Sequence, residues 1–201
     1  MISAFANEAL EKLLSSYKFD TVLDVGCGKV ALHAKYMQNY GKKVTGIDFY
    51  PPEGAIFRAI KGNYMQLVHE DTYDCLWVSH VLEHQLDVQA FLRKVHSNLV
   101  EGGVLAVTVP PRKDNIVGGH LSMWNMGLLL YRLILAGFDC SEAIGKKYGY
   151  NVSVIVKKRS IDIDWSSLAF DTGDIERLYK YFPNGRVWRQ EFNGDIDLLN
   201  W

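Results

Sequence analysis

Apolar positions in this 201-residue chain fall into two repeating patterns whose alternation outlines a fold. Ile2, Phe5, Ala9, Leu10, Leu13, Leu14 and Tyr17 recur at helical spacing and predict an amphipathic N-terminal helix over residues 2–17. The run "TVLDVGCG" then reads as a short buried strand entering a glycine turn, followed by a helix from Ala31 to Tyr40. "KKVTGIDF", "AIFRAI", "YDCLWV" and "GGVLAVTVP" predict four further strands, each apolar and rich in β-branched or aromatic residues. Between the last two, Val88, Phe91, Leu92, Val95 and Leu99 mark another helix. This alternation implies a mostly parallel sheet with helices on both faces. The segment after Asp48 is the exception. It is short and contains Pro51 and Pro52, so a truncated connection replaces a full crossover helix.

Further along, a helix is predicted from Met123 to Ala136. Its most apolar part, Met126 to Phe138, is too short to span a bilayer and carries Arg132 in its middle. "CSEAIGKKYGYNVSVIVKK" predicts two antiparallel strands around a Lys-Lys-Tyr-Gly turn at the sheet edge. The tail patterns weakly, with one helix from Asp174 to Tyr181 ended by Pro183 and Asn184-Gly185. The expectation is one domain over residues 1–201, with a core over about 19–158 and a C-terminal extension over 160–201.

Charge and cysteine content narrow the function. Lys and Arg number 22 against 23 Asp and Glu, which argues against a broad basic field for nucleic acid. Cys27, Cys75 and Cys140 form no C-x-x-C pair and suit a reducing compartment. With no basic start and apolar run at the N-terminus, a cytoplasmic location is expected.

In the first turn, Gly26 and Gly28 allow a tight bend and close approach of backbone N–H groups to a ligand. Gly26-x-Gly28-x-x-Ala31, with Asp48 further on, formally matches a dinucleotide fingerprint. A pyrophosphate gains nothing from the carboxylate of Asp24, whereas a sulfonium ligand with a free α-amino group is attracted to it. That contrast favours S-adenosylmethionine over NAD. Asp48 would accept hydrogen bonds from ribose hydroxyls in either case.

"HVLEH" supplies His80, Glu83 and His84 in an H-x-x-E-H pattern that formally matches a zinc peptidase, but nothing in the surrounding strand order supports that reading. The ordered set "VLDVGCG", "VTGIDF", "YDCLWVSHVLEH", "LVEGGVLAVTVPP" and "LILAGFD" resembles instead the class I S-adenosylmethionine-dependent methyltransferases, over Thr21 to Lys158. The resemblance implies a Rossmann-like α/β fold with a seven-stranded, mostly parallel sheet whose last strand is antiparallel. It implies that Asp24, Gly26 and Gly28 line the methionine portion of the cofactor and that Asp48 binds ribose. Cys27, between the glycines, reads as a small filler. "KGNY" would be the adenine turn, with Asn63 where an Asp is common and Phe49 or Tyr64 stacking on the ring. Ser79 and His80 would flank the methionine end. Two features depart from the family pattern: Val30 stands where many members have a third glycine, and the helix after the second strand is missing.

For catalysis, His84 and His120 are the candidate general bases, since an imidazole titrates near neutral pH. An alternative is a divalent metal held by His80, Glu83, His84 and His120, a site similar to those of ubiquinone-pathway O-methyltransferases and methyltransferases of small-RNA ends. A third reading leaves Glu83 and His84 bracing the segment and His120 as a satisfied loop residue. His33, His69 and His96 are expected to be surface or structural. The expected acceptor is a hydroxyl or amine of a small polar molecule or saccharide, with Trp124, Tyr131, Tyr148, Tyr150 and Trp165 as pocket or core aromatics. Rival functions are an RNA-directed methyltransferase, a cofactor-binding partner subunit without turnover, and an NAD-dependent oxidoreductase.

Overall fold

Eight strands pair into one sheet in the computed structural model of the protein, which describes residues 5–68, 71–186, 188–189 and 192–201. His69 and residues 2–4 of the expected N-terminal helix lie outside the described residues. The strands are β1 (Thr21–Val25), β2 (Lys43–Asp48), β3 (Arg58–Lys61), β4 (Tyr73–Ser79), β5 (Leu99–Val109), β6 (Ile144–Tyr148), β7 (Asn151–Lys157) and β8 (Leu198–Leu199). The helices are α1 (Asn7–Ser16), α2 (Leu32–Asn39), α3 (Val88–Asn98), α4 (Met126–Leu135) and α5 (Asp174–Arg177).

The strand order is β3-β2-β1-β4-β5-β7-β6-β8. The first five are parallel; β7 runs antiparallel to both β5 and β6. The chain moves outward from β1 to β3 and then returns to the other side of β1 with β4. This reversal leaves a crevice at the carboxyl ends of β1 and β4, the place where open α/β sheets bind ligands.

Both faces of the sheet are covered, as the continuous apolar runs of its central strands require. Val22, Cys75, Trp77 and Ala106 pack with Leu10, Leu13, Ala34 and Met37 beneath α1 and α2. Leu23, Leu76, Val107 and Val154 pack with residues of α3 and α4, including Phe91, Leu92, Leu129 and Leu133. Asp87 and Asn125 start α3 and α4 as N-caps, accepting the N–H of Ala90 and of Leu128 at 2.9 Å each.

Four details differ from the sequence expectation. The two antiparallel strands are not an edge pair: β7, buried along almost its whole length, inserts between β5 and β6. Their turn is Gly149-Tyr150, because Lys146 and Lys147 alternate within β6 and pair with Glu8 at 2.6 Å and Asp197 at 3.0 Å. An eighth strand comes from the tail and covers the β6 edge. The expected helix from Asp174 to Tyr181 is broken at Leu178 into α5 and a single 3-10 turn, Tyr179–Tyr181. The truncated connection after β2 is present: residues 49–57 contain no helix, and β3 remains a short, half-exposed strand.

The tail is docked tightly against α4. Gly127 N–H donates to Gly194 O at 2.9 Å, and Asn125 Nδ2 donates to Asn193 O at 2.6 Å. A Cβ on Gly127 would collide with the Gly194 backbone and come within 2.7 Å of Phe192. Gly127→Ala should therefore lose about 1–3 kcal/mol through overpacking, even though alanine favours a helix by about 1 kcal/mol. Urea unfolding checks this, and a variant as stable as wild type would contradict the docking.

Candidate functional site

At the crevice, a cavity of about 800 Å³ is lined by the glycine loop, Ser79, His80, His33, Phe5, Tyr150 and Asn151. The loop bends because Gly26 takes φ +77°, and its bare Cα is also needed: a Cβ there would lie 2.5 Å from Val81 Cγ2. The N–H groups of Gly26 and Cys27 donate to Ile47 O at 2.8 and 3.2 Å, which lays the loop over the end of β2. Val30 is 59% exposed in the cavity wall, so the missing third glycine does not obstruct the loop. Ala31 instead carries the left-handed conformation, at φ +49°.

Asp48 braces this arrangement. One carboxylate oxygen accepts Gly28 N–H at 2.9 Å and the other accepts Tyr50 N–H at 2.8 Å. Gly62 N–H donates to Asp48 O at 2.9 Å, which brings the turn containing Asn63 beside it. Asn63 Oδ1 caps that turn by accepting Met65 N–H at 3.0 Å. Phe49 is exposed beside it, available to stack on a ring. Tyr64 is not: it is buried, its hydroxyl donates to Asn98 at 2.9 Å, and its ring packs edge-on against Phe91.

Asp24 lies beneath the loop rather than among the cavity-lining residues, and is 2% exposed. Burial, reinforced by the charge of Asp48 and only partly offset by the Ala34 N–H, pushes its pKa up to about 8. Its Oδ2 has no partner among the described residues. Cys27 packs over Gly46, and burial with the two nearby carboxylates raises its thiol to about 12, consistent with a filler and not a nucleophile.

Two histidines face the cavity with proton affinities shifted in opposite directions. His80, at φ +56°, sets Nδ1 3.2 Å from Glu83 Oε1 and Nε2 3.0 Å from Asn151 Oδ1. The Asn151 amide is oriented by Ala6 N–H, which donates to its Oδ1, and by Tyr148 O, which accepts from its Nδ2. Both His80 nitrogens therefore face acceptors, an arrangement that favours the protonated ring. Burial acts to lower its pKa, but the bonds to Glu83 and Asn151 outweigh that and hold it above the ordinary value. His33 accepts Trp77 Nε1–H at Nδ1 (3.1 Å) and donates from Nε2 to Phe5 O (2.8 Å), so it is neutral, with burial lowering its pKa.

His84 and His120 meet edge to face, with ring centroids 5.0 Å apart. His84 donates from Nδ1 to Gly119 O at 2.8 Å, which leaves the Nε2 lone pair free, 3.9 Å from Glu83 Oε1. Glu83 is 1% exposed, and its Oε2 has no partner among the described residues. The ligand atoms of Glu83, His84 and His120 all lie within 4.8 Å of one another. His80 stands outside this trio, so the four-residue metal set reduces to three. The H-x-x-E-H segment forms one 3-10 turn, Leu82–His84, rather than a helix with both imidazoles on one face.

Tyr150, one of the candidate aromatics, lines the cavity, whereas Phe5, Asn7, His33 and Asn151 are lining residues that sequence reasoning missed. The local pattern of His33 carried no signal. The others come from the N-terminal segment and the β6–β7 hairpin, which only the tertiary fold brings to the crevice. Of the remaining candidate aromatics, Trp124 is buried, Tyr131 half-buried, Tyr148 bonds Ala9 N–H at 3.1 Å, and Trp165 stacks under Arg93. His96 is structural, packed edge-on against Phe138. No helix among the described residues is long and apolar enough to cross a membrane.

Residues 2–138 match the family described as "Methyltransferase domain". No curated protein matches the chain. Among solved structures, the chain is similar to 1,6-didemethyltoxoflavin-N1-methyltransferase of Burkholderia thailandensis with bound 1,6-didemethyltoxoflavin and S-adenosylhomocysteine. That pair has a TM-score of 0.65 and 19% identity, covering 77% of this chain and 78% of the other. N-methyltransferase NodS of Bradyrhizobium japonicum, complexed with S-adenosylhomocysteine, gives a TM-score of 0.62 and 16% identity over 76% and 85% of the two chains. The [4+2]-cyclase SpnF gives 0.57 and 20% over 69% and 57%. At these identities the structures establish the fold.

Burial of Asp24 gives the ligand-free protein a pH dependence. Its carboxyl binds a proton more tightly folded than unfolded, where 3.8 is the ordinary value. The stability it contributes is complete below that value and is lost as pH rises toward about 8. Relative to wild type, Asp24→Asn should gain stability progressively from pH 5 to about 8 and then hold level. Melting temperatures of the two proteins across that range test this; a constant difference would refute it.

Proposed function

Because the chain belongs to the methyltransferase-domain family, matched over residues 2–138, we propose that it moves a methyl group from S-adenosylmethionine directly to a hydroxyl, or an amine, of a small polar acceptor such as a saccharide unit. The observation that carries this reading is a contiguous path at one end of the sheet. It runs from the loop cavity through His80 and Glu83 to the free Nε2 of His84.

The residues fit the cofactor. Gly26 and Gly28 line the cavity with bare backbone that a ligand can approach closely, Asp48 suits the ribose hydroxyls, and Asn63 and Phe49 suit the adenine edge and face. The orphaned oxygen of Asp24 beneath the loop suits a sulfonium above it, since a nearby cation favours the ionised carboxylate. The cofactor supplies an electrophilic methyl group. The protein's part is to orient the acceptor oxygen in line with that methyl and to receive the proton. His84 Nε2 accepts it, with the tautomer held by Gly119 O and the resulting imidazolium stabilised by Glu83.

One specific observation favours a second reading at the same place. Glu83, His84 and His120 suit a divalent ion: the buried Glu83 Oε2 lacks a partner, and the His84 bond to Gly119 O is the kind that orients metal-bound histidines. Such a nitrogen-rich set suits zinc, cobalt or iron better than magnesium. Bound there, the ion would acidify an acceptor hydroxyl.

Calorimetry with S-adenosylhomocysteine tests the cofactor assignment: wild type should bind it in preference to NAD, and Asp48→Ala should bind it at least about tenfold more weakly, the loss of one good hydrogen-bonding group. Absence of binding by folded wild type would withdraw the enzyme assignment. With an acceptor in hand, His84→Ala should lower kcat about 10²–10⁴-fold without changing that affinity. Activity lost to a chelator and restored by one of the softer divalent ions would select the metal reading; indifference to the chelator selects the base.

A further inference from the structure

The C-terminal tail builds a second concavity next to the reacting histidines. Segments 170–175 and 192–194 stand off the outer face of α4 and enclose a groove of about 720 Å³, with Met123, Leu128, Tyr131, Phe170 and Phe192 among its walls. The volume falls in the range of small-ligand pockets, and both long walls belong to this one chain, unlike a flat face awaiting a protein. Met123 is three residues from His120, so the mouth of the groove lies within about 10 Å of it along extended backbone.

Two observations indicate that the groove is made to hold something. Phe170, 76% exposed on its wall, has φ +57°, a conformation unfavourable for a bulky side chain. It is held there by Asp174, a fully buried carboxylate that accepts the N–H groups of Ala169 at 3.0 Å and Phe170 at 2.8 Å and pairs with Arg177. Strain sustained to present an aromatic face is characteristic of ligand clamps. Independently, Trp124 lines the mouth at 1% exposure, and its indole N–H has no partner among the described residues. A buried donor of this kind is costly unless an acceptor meets it. Arg112, exposed at the same mouth, has no ion-pair partner among the described residues.

We infer that this groove receives the non-reacting part of the methyl acceptor: an apolar, ring-sized body bearing an oxyanion that meets Trp124 Nε1 and Arg112. The acceptor is then an amphiphile, with a polar group at His84 and an apolar body along α4. Calling the ligand an acceptor rests on the methyl-transfer reading above; the binding chemistry of the groove does not.

The test uses 1-anilinonaphthalene-8-sulfonate, an apolar ring system carrying an oxyanion, titrated by fluorescence into the full chain, with S-adenosylhomocysteine calorimetry alongside. Wild type should bind the dye at one saturable site. Leu128→Asp, which puts a charge in the groove, should weaken binding at least about tenfold. The exposed Arg112→Ala should weaken it by about three- to tenfold, and decides the matter if the first variant does not fold. Phe170→Gly should raise Tm by about 2 °C through relief of strain and yet weaken dye binding, a combination that a merely structural phenylalanine does not produce. Absent dye binding, or equal binding across the variants, overturns the inference. So does a solution dimer that Leu128→Asp dissolves, which assigns the groove to a second copy. Dye results as expected beside a wild type that ignores S-adenosylhomocysteine would leave the groove standing and remove methyl transfer.

Discussion

One side-chain amide ties the mouth of the sheet together. Asn151, at the start of β7, accepts from Ala6 N–H and His80 and donates to Tyr148 O, so it fixes the N-terminal segment, the end of β4 and the hairpin turn against one another. It can do so because β7 lies inside the sheet, next to β5, rather than at the edge. An edge strand in that sequence position would leave the cavity without its far wall. The raised proton affinity of His80 follows in part from the same bond, since an oriented acceptor stands on each side of the ring.

That bond also separates the roles of the histidines. His80 and His33 are fully committed within the cavity wall, their proton affinities shifted in opposite directions, and both hold the Phe5–Ala6 segment over it. His84 keeps an uncommitted lone pair. The buried Glu83 carboxylate stands between the ring of His80 and that of His84, and so connects the cavity wall to the group suited to chemistry.

Much of this was legible in the sequence, for identifiable reasons. Buried parallel strands such as "TVLDV" and "YDCLWV" are continuous apolar runs, and a glycine turn followed by an acid at the end of the next strand is a local signal, so the parallel core and the Gly26 to Asp48 cradle could be read directly. Tyr64 was misjudged because sequence spacing does not tell which way a turn residue points; here Asn98 and Phe91 draw it into the core. The insertion of β7 was invisible because a hairpin signal fixes pairing between two strands and not which of them joins the rest. Phe5, Asn151 and Tyr150 carry no motif at all, and their role exists only through contacts between distant parts of the chain, such as Phe5 and Tyr150 with His80 and Asn151 with Ala6.

That sequence separation has a consequence for how the molecule comes into being. The bond from Ala6 to Asn151 spans 145 residues, and the one from His80 spans 71. Chains emerge from the ribosome N-terminus first, and long-range contacts close slowly because the intervening loop must be ordered before they reward it. The glycine loop and β1 to β5 can assemble during synthesis, but the cavity has no far wall until the hairpin has left the ribosomal tunnel. Acquisition of a cofactor-sized pocket is thus a late event in biogenesis, set by the last third of the polypeptide rather than by the loop that gives the site its character.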